Sequence, residues 1–297
     1  MGREQLDGRR VLVTGAGQGI GRKTAELLVS RGARVALVDR DGVAVREAAE
    51  QLGPRARAFV ADVTDAVALE RAVQEAADAF GGLDVVVANA GIAPRRSSTV
   101  EGYSADELER VMAVNVTGAW NTARAGLRHL GTGGRLVIVA SVYAYANGAF
   151  MAPYAASKAA VEALGRSLRV ELAARGIGVT LAYFGPVDTG FAQAFDEDPV
   201  GTAAQDALPA ALVHRIPPQR AAGALVQAIV RGRSRVITPR RWIVLDLLRG
   251  PVARLGDRLL AGNTALAKIA AGIPAASPAS SRAAATPSSS AEPTTTK

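Results

Sequence analysis

The chain has no cysteine and only two histidines, His129 and His214. No disulfide framework, thiolate metal site or thiol nucleophile is therefore available, and a histidine-based metal cluster is poorly supplied, so no metal is expected. Aromatic residues make up 4% of the 297 positions, which leaves alanine, glycine and the aliphatic residues to build the core. The N-terminus lacks an apolar run like that of a signal peptide, and strand-like sequence begins almost at once, so a cytoplasmic protein is expected. Charge is unevenly spread. Between Arg231 and Lys268 nine basic residues face only Asp246 and Asp257, a net of +7 out of the chain's +8, and the remainder is nearly neutral. A nucleic-acid-coating protein would carry its basic face on a reading motif, and none is found, so no nucleic-acid partner is expected.

What is present is a repeated alternation of short apolar runs with helical patterns. Residues 11–14 form a β-branched run that passes directly into the glycines of T-G-A-G-Q-G-I-G and then into helix formers from Arg22. Strand, glycine loop and helix is the order in which helical N–H groups and the positive end of the helix dipole meet a phosphate. Further strands are predicted at 33–38, 57–61, 83–88, 134–141, 177–183 and 235–238. Thr64 is expected to cap the helix 65–80, and a long helical pattern over 104–130 is interrupted at Asn115-Val-Thr-Gly118. Near-continuous apolar strands alternating with helices predict a doubly wound parallel α/β sheet of the Rossmann type, about seven strands with helices on both faces. Right-handed crossovers gather the C-terminal ends of strands one, four and five around one crevice.

Asp39 ends the second strand about twenty residues beyond the glycine loop, where a carboxylate accepts hydrogen bonds from ribose hydroxyls and repels a 2′-phosphate. NAD is favoured over NADP on this ground. Arg40 beside it offers a competing grip for a phosphate, and a helix N-cap is an alternative role for Asp39. Tyr154 and Lys158 are four apart in a strong helix former, hence on one helical face, and a cation beside a phenol favours the phenolate. Ser141 ends the apolar run before them. Tyr143 and Tyr145 lack a lysine four residues later, so they serve as pocket lining or as packing.

Taken in order, T-G-A-G-Q-G-I-G, Asp39, Asp62-Val63, Asn89-Ala-Gly91, Asn115, Ser141 and Tyr154-x-x-x-Lys158 resemble the short-chain dehydrogenase/reductase family over about residues 7 to 240. The resemblance implies that Tyr154 exchanges a proton with the substrate oxygen, that Lys158 lowers the tyrosine's pKa and holds the nicotinamide ribose, that Ser141 hydrogen-bonds the reacting oxygen, and that Asn115 anchors a proton-relaying water. It implies Gly15, Gln18, Gly19, Ile20 and Gly21 at the pyrophosphate, and Asp39 with Arg40 at the adenosine ribose. Asp62 and Val63 would meet the adenine, Asn89 and Gly91 the inner ribose side, and Val187 and Thr189 the nicotinamide amide. The expected activity is NAD-dependent interconversion of a small-molecule secondary alcohol and a ketone, in a homodimer or homotetramer. The alternatives are an NADPH-dependent 3-oxoacyl thioester reductase and a non-catalytic dinucleotide sensor. Phe184-Gly185 stands where the family usually has Pro-Gly, and Ala88 precedes Asn89 where a second asparagine is usual.

Residues 1–240 read as the catalytic domain, 241–273 as a basic amphipathic extension and 274–297 as a disordered Ala/Pro/Ser/Thr tail. Three roles stay open for the extension: packing on a partner subunit or over the substrate cleft, peripheral membrane contact through 240–268, or a solvated tail. Residues 190–216 read as an irregular substrate loop, and Phe150, Met151, Phe191 and Phe195 as an apolar pocket.

Overall fold

The structure, a computed structural model, describes residues 6–146, 148–249 and 262–273. The predicted tail and residues 250–261 of the extension lie outside the described residues.

Seven parallel strands form one sheet in the order β3-β2-β1-β4-β5-β6-β7. They are β1 (Arg10–Thr14), β2 (Arg34–Asp39), β3 (Ala56–Val60), β4 (Leu83–Ala88), β5 (Leu130–Ser141), β6 (Gly178–Phe184) and β7 (Arg235–Thr238). Side chains alternate across the pleat, so each strand feeds two cores. Leu12, Ala36, Val86, Leu136 and Ile138 pack on one face, and Val11, Val13, Leu37, Val87 and Val137 on the other. The two faces are covered by helices, which is why the central strands β1, β2, β4 and β6 are mostly buried.

The helices in chain order are α1 (Gly19–Ser30), α2 (Gly42–Leu52), α3 (Ala66–Phe80), α4 (Ala105–Met112), α5 (Gly118–Leu127) and α6 (Ala152–Glu171). Then come α7 (Gly190–Asp196), α8 (Pro199–Asp206), α9 (Ala210–Val213), α10 (Pro218–Val230), α11 (Trp242–Leu247) and α12 (Thr264–Gly272). Leu69, Ala72, Ala123 and Val161 from α3, α5 and α6 cover the first face, while Ala25, Leu28, Val45 and Leu225 from α1, α2 and α10 cover the second.

Three local expectations are corrected. The cap of α3 is Asp65, whose carboxylate accepts from the N–H groups of Val67 and Ala68, whereas Thr64 is tied to Asp62. The interruption of the long helix is a π turn, Ala113–Thr117, inserted between α4 and α5. Residues 190–216 are not irregular, because three short helices form there, with Asp198 capping α8 through Val200 N.

Candidate active site

At the end of β1 the chain enters the glycine loop, in which Gly15 and Gly19 have φ of +65° and +56°. That conformation suits glycine. Close approach adds a second constraint: a Cβ on Gly21 would stand 2.1 Å from the Gly15 carbonyl oxygen, and one on Gly15 would stand 2.8 Å from Ala90 Cα. Asn89, at the end of β4, donates from Nδ2 to the carbonyls of Thr14 and Gly15 at 2.9 and 3.0 Å, tying the two strand ends together. Gln18 is the N-cap of α1 in extended conformation with no side-chain cap bond, and no acidic residue occupies the first turn. The first N–H groups of α1 are thus left without a side-chain cap at the positive end of the helix dipole, where Gly19 and Ile20 border the cleft.

Asp39 accepts from Gly17 N at 2.9 Å and from Asp41 N at 3.1 Å. It is not the helix cap; Asp41 takes that role, accepting from Val43 N and Ala44 N. Arg40 is exposed beside it. Asp62 is held by the N–H and hydroxyl of Thr64, at 2.9 and 2.8 Å, and the buried Val63 packs on Gly118. Thr189 precedes α7, its methyl 3.6 Å from where a Gly19 Cβ would be, and Val187 pairs with Ile216 in an isolated bridge.

Ser141 is the last residue of β5, and α6 begins eleven positions later at Ala152, with Pro153 in its first turn. Ser141 Oγ donates to the Phe184 carbonyl at 3.3 Å and accepts from Tyr143 N at 3.2 Å. The Tyr154 side chain is hydrogen-bonded to that of Ser141. Lys158 is 4% exposed, with Nζ donating to the Val139 carbonyl at 3.1 Å and lying 5.6 Å from the centre of the Tyr154 ring. Burial lowers the Lys158 ammonium from 10.5 to about 8. Burial pushes the Tyr154 phenol up, opposed by the Ser141 hydrogen bond and reinforced by Tyr143. The expected lowering of the tyrosine by its lysine is not found here; desolvation raises the phenol, and the opposing influence is Ser141. Asn115, in the π turn, accepts from Ile92 N at 2.8 Å and donates to the Ile92 carbonyl and to Ser157 Oγ at 3.0 and 2.9 Å. Gly91 lies against both, since a Cβ there would be 3.3 Å from Asn115 Oδ1 and from Lys158 Nζ.

These groups border a single cleft of about 710 Å³. Of the sequence-predicted residues, Gly15, Gln18, Gly19, Ile20, Asp39, Arg40, Asp62, Val63, Asn89, Gly91, Ser141, Tyr154, Lys158, Val187 and Thr189 line it. Gly21 and Asn115 act from behind, through the loop and the Ile92 backbone. Tyr143 and Tyr145 both line the cleft, and the Tyr143 ring meets Tyr154 edge-on at 5.8 Å. Met151 and Phe195 line it as expected. Phe150 does not: at φ +62° it offers its carbonyl to Tyr103 Oη and Ser98 N. The side chain of Phe191 lies outside the described residues.

Sequence reasoning did not name the far wall. Leu208 and Leu212 come from the segment read as irregular, and Trp242, Leu245, Arg249 and Asn263 from the extension. The described part of the extension borders the cleft: Trp242 and Asp246 are buried, and Trp242 Nε1 abuts Gly185, where a Cβ would come within 2.4 Å. The run from Trp242 to Leu248 broken by Asp246 was the available signal. Among the described residues no helix is long and apolar enough to cross a membrane.

A family model described as short chain dehydrogenase matches residues 9–200. A sorbitol dehydrogenase of Cereibacter sphaeroides is 38% identical over 190 residues, 62% of this chain and 72% of that protein. A 3-oxoacyl-[acyl-carrier-protein] reductase of Vibrio cholerae is 34% identical over 203 residues, 67% and 82% of the two chains. Among solved structures, a short chain dehydrogenase/reductase from Burkholderia phymatum in complex with NAD superposes with a TM-score of 0.74 at 26% identity, over 84% of this chain and 96% of that one. A short chain dehydrogenase from Burkholderia cenocepacia in complex with NADP gives 0.67 at 34%, over 78% and 97%.

Proposed function

Since the chain belongs to the short-chain dehydrogenase/reductase family and is an oxidoreductase of that family, we propose that it interconverts a secondary alcohol and a ketone with NAD, on an apolar substrate. The observation that carries this reading is the meeting of Ser141, Tyr154 and Lys158 in the same cleft as the glycine loop.

The residues fit a nicotinamide dinucleotide. Gly15 and Gly21 let the loop close tightly on itself, on Asn89 and on Ala90, where any Cβ would clash, and the first turn of α1 carries no acidic side chain to compete for its N–H groups. Asp39 offers a carboxylate fixed by Gly17 N, which suits ribose hydroxyls and disfavours a 2′-phosphate. Asp62 and Val63 are assigned to the adenine end, Asn89 and Gly91 to the inner ribose, and Val187 with Thr189 to the nicotinamide. When bound, the cofactor supplies hydride transfer.

The chain's own groups supply the proton and the alignment. In the reducing direction Tyr154, held protonated by its buried setting, gives its proton to the carbonyl oxygen as negative charge develops there. Ser141, already bonded to Tyr154, turns its one hydroxyl proton from the Phe184 carbonyl to the same oxygen and fixes its distance from the phenol. In the oxidising direction Tyr154 takes the alcohol's proton, and the Lys158 cation stabilises the phenolate so formed. Asn115 holds the Ile92 backbone and Ser157 in place around Lys158, and is assigned the anchoring of a relaying water.

An apolar substrate is supported by Phe184, Met151, Phe195, Leu212 and Trp242 in the lining of the cleft. A second reading, reduction of a 3-oxoacyl thioester, is favoured by the Vibrio cholerae relative; strict use of NADPH would decide for it and against the role of Asp39. The test of the primary reading is a panel of ketones and secondary alcohols followed by NADH absorbance. Turnover of an apolar member with NAD is expected, and no turnover with any member would overturn the proposal.

A further inference from the structure

Glu162 sits one turn beyond Lys158 on α6 and is 5% exposed, although nothing in the proton chemistry uses it. Its partner is Arg249, 87 positions away, whose guanidinium forms an ion pair with Glu162 Oε1. Arg249 also donates from Nε to Asp246 Oδ1 at 2.9 Å, and Arg235 donates to the same oxygen at 2.6 Å. Asp246 is itself buried. The Arg249 guanidinium lies 4.6 Å over the ring of Tyr145, whose hydroxyl reaches the Trp242 carbonyl at 3.5 Å. Two cations and two carboxylates thus join β7, α11 and Arg249, two residues beyond it, to the middle of α6.

We infer that the cluster of Glu162, Arg249, Asp246 and Arg235 fastens the C-terminal segment to the helix bearing Tyr154 and Lys158, and thereby sets the far wall of the cleft against the apolar part of the substrate. This rests on the reading of the cleft as a substrate site. An ion cluster with two buried carboxylates is a poor way to gain stability, because desolvating Glu162 and Asp246 cancels much of their attraction to the half-exposed arginines and apolar residues of equal volume do as well. What it supplies is direction. The planar guanidinium of Arg249 satisfies two carboxylates only in one orientation, and that orientation holds Trp242 on Gly185 and Leu245 at the cleft. The wall is therefore registered to α6, so its distance from the Tyr154 hydroxyl is fixed by charge pairing rather than by loose apolar packing. Arg249 and Glu162 are positioning residues on this account, and the property they set is discrimination by substrate length.

The chain has two tryptophans, and the other, Trp120, is 53% exposed, so Trp120→Phe leaves Trp242 as the sole emitter. In that background, with NAD present, acrylamide quenching of Trp242 is measured for the parent, Glu162→Gln and Arg249→Met, each titrated with 2-decanone and with 2-butanone. The parent should emit as a buried indole and be protected by 2-decanone. Both variants should red-shift and quench more readily, and should need about tenfold more 2-decanone, the loss of roughly two buried methylenes, with 2-butanone changed less than about twofold. Arg249→Lys, which keeps the cation but not the fork, should lie between. Unchanged Trp242 emission in both variants would overturn the inference, as would equal weakening of the two ketones or no protection of the parent by 2-decanone. Binding, not turnover, is read, so failure of the proposed activity shows up separately, in the substrate panel.

Discussion

Lys158 Nζ lies 5.6 Å from the centre of the Tyr154 ring while it donates to the Val139 carbonyl at 3.1 Å on β5. The cation is hydrogen-bonded to the sheet while it lies over the phenol ring. One helical turn brings the pair together; the strand decides how far the ammonium stands from the ring.

Tyr154→Phe keeps the ring and its edge contact with Tyr143 and removes the hydroxyl, with its exchangeable proton and its bond to Ser141. Affinity for NAD should change by less than about threefold, while turnover falls by about 10² or more, the range of a lost general acid or base. Isothermal titration and steady-state rates check the two halves, and near-normal turnover would sink the assignment.

Asp39→Ala removes the carboxylate that accepts from Gly17 N. The preference for NAD over NADP should shrink by about tenfold or more, with Arg40 then free to face a 2′-phosphate. The ratio of kcat/KM for the two cofactors is the measurement, and an unchanged ratio would refute the ribose contact.

Lys158 is buried, with its ammonium lowered from 10.5 to about 8. Between these values the unfolded chain holds a proton that the folded one has released, so stability rises with pH through that window and the cost of the buried charge is fully present below it. Lys158→Met should flatten this rise and stabilise the fold at pH 7 by about 1–2 kcal/mol after loss of the Val139 hydrogen bond. Urea melts from pH 7 to 10 test the sign. Ketone reduction in the parent should decline above about pH 8 as the cation is lost, and the variant should be nearly inactive.

Gly21→Ala would put a methyl 2.1 Å from the Gly15 carbonyl oxygen and 2.6 Å from Asn89 Nδ2. The loop must open, which should cost about 1–3 kcal/mol of stability and most of the dinucleotide affinity. A thermal melt with and without NAD separates the two effects: the parent should be stabilised by the cofactor and the variant should not.

The sequence by itself determined the sheet, because apolar period and glycine punctuation are local signals that survive without knowledge of neighbours. It also determined which residues gather at the strand ends, since a parallel sheet with right-handed crossovers leaves little freedom there. Asp39, Asn89, Ser141 and Tyr154 border one cleft for that reason. Other features depended on contacts between distant segments. Capping by Asp41 and Asp65 instead of Asp39 and Thr64 turns on backbone angles a residue or two away from the expected start. The π turn at Asn115 inserts an extra residue where that side chain must reach both Ile92 and Ser157. The balance that raises Tyr154 and lowers Lys158 comes from desolvation, which no spacing reveals. The far wall is the clearest case: Glu162 and Arg249 are 87 residues apart, and only their pairing across the folded chain turns a basic amphipathic tail into the end of a pocket.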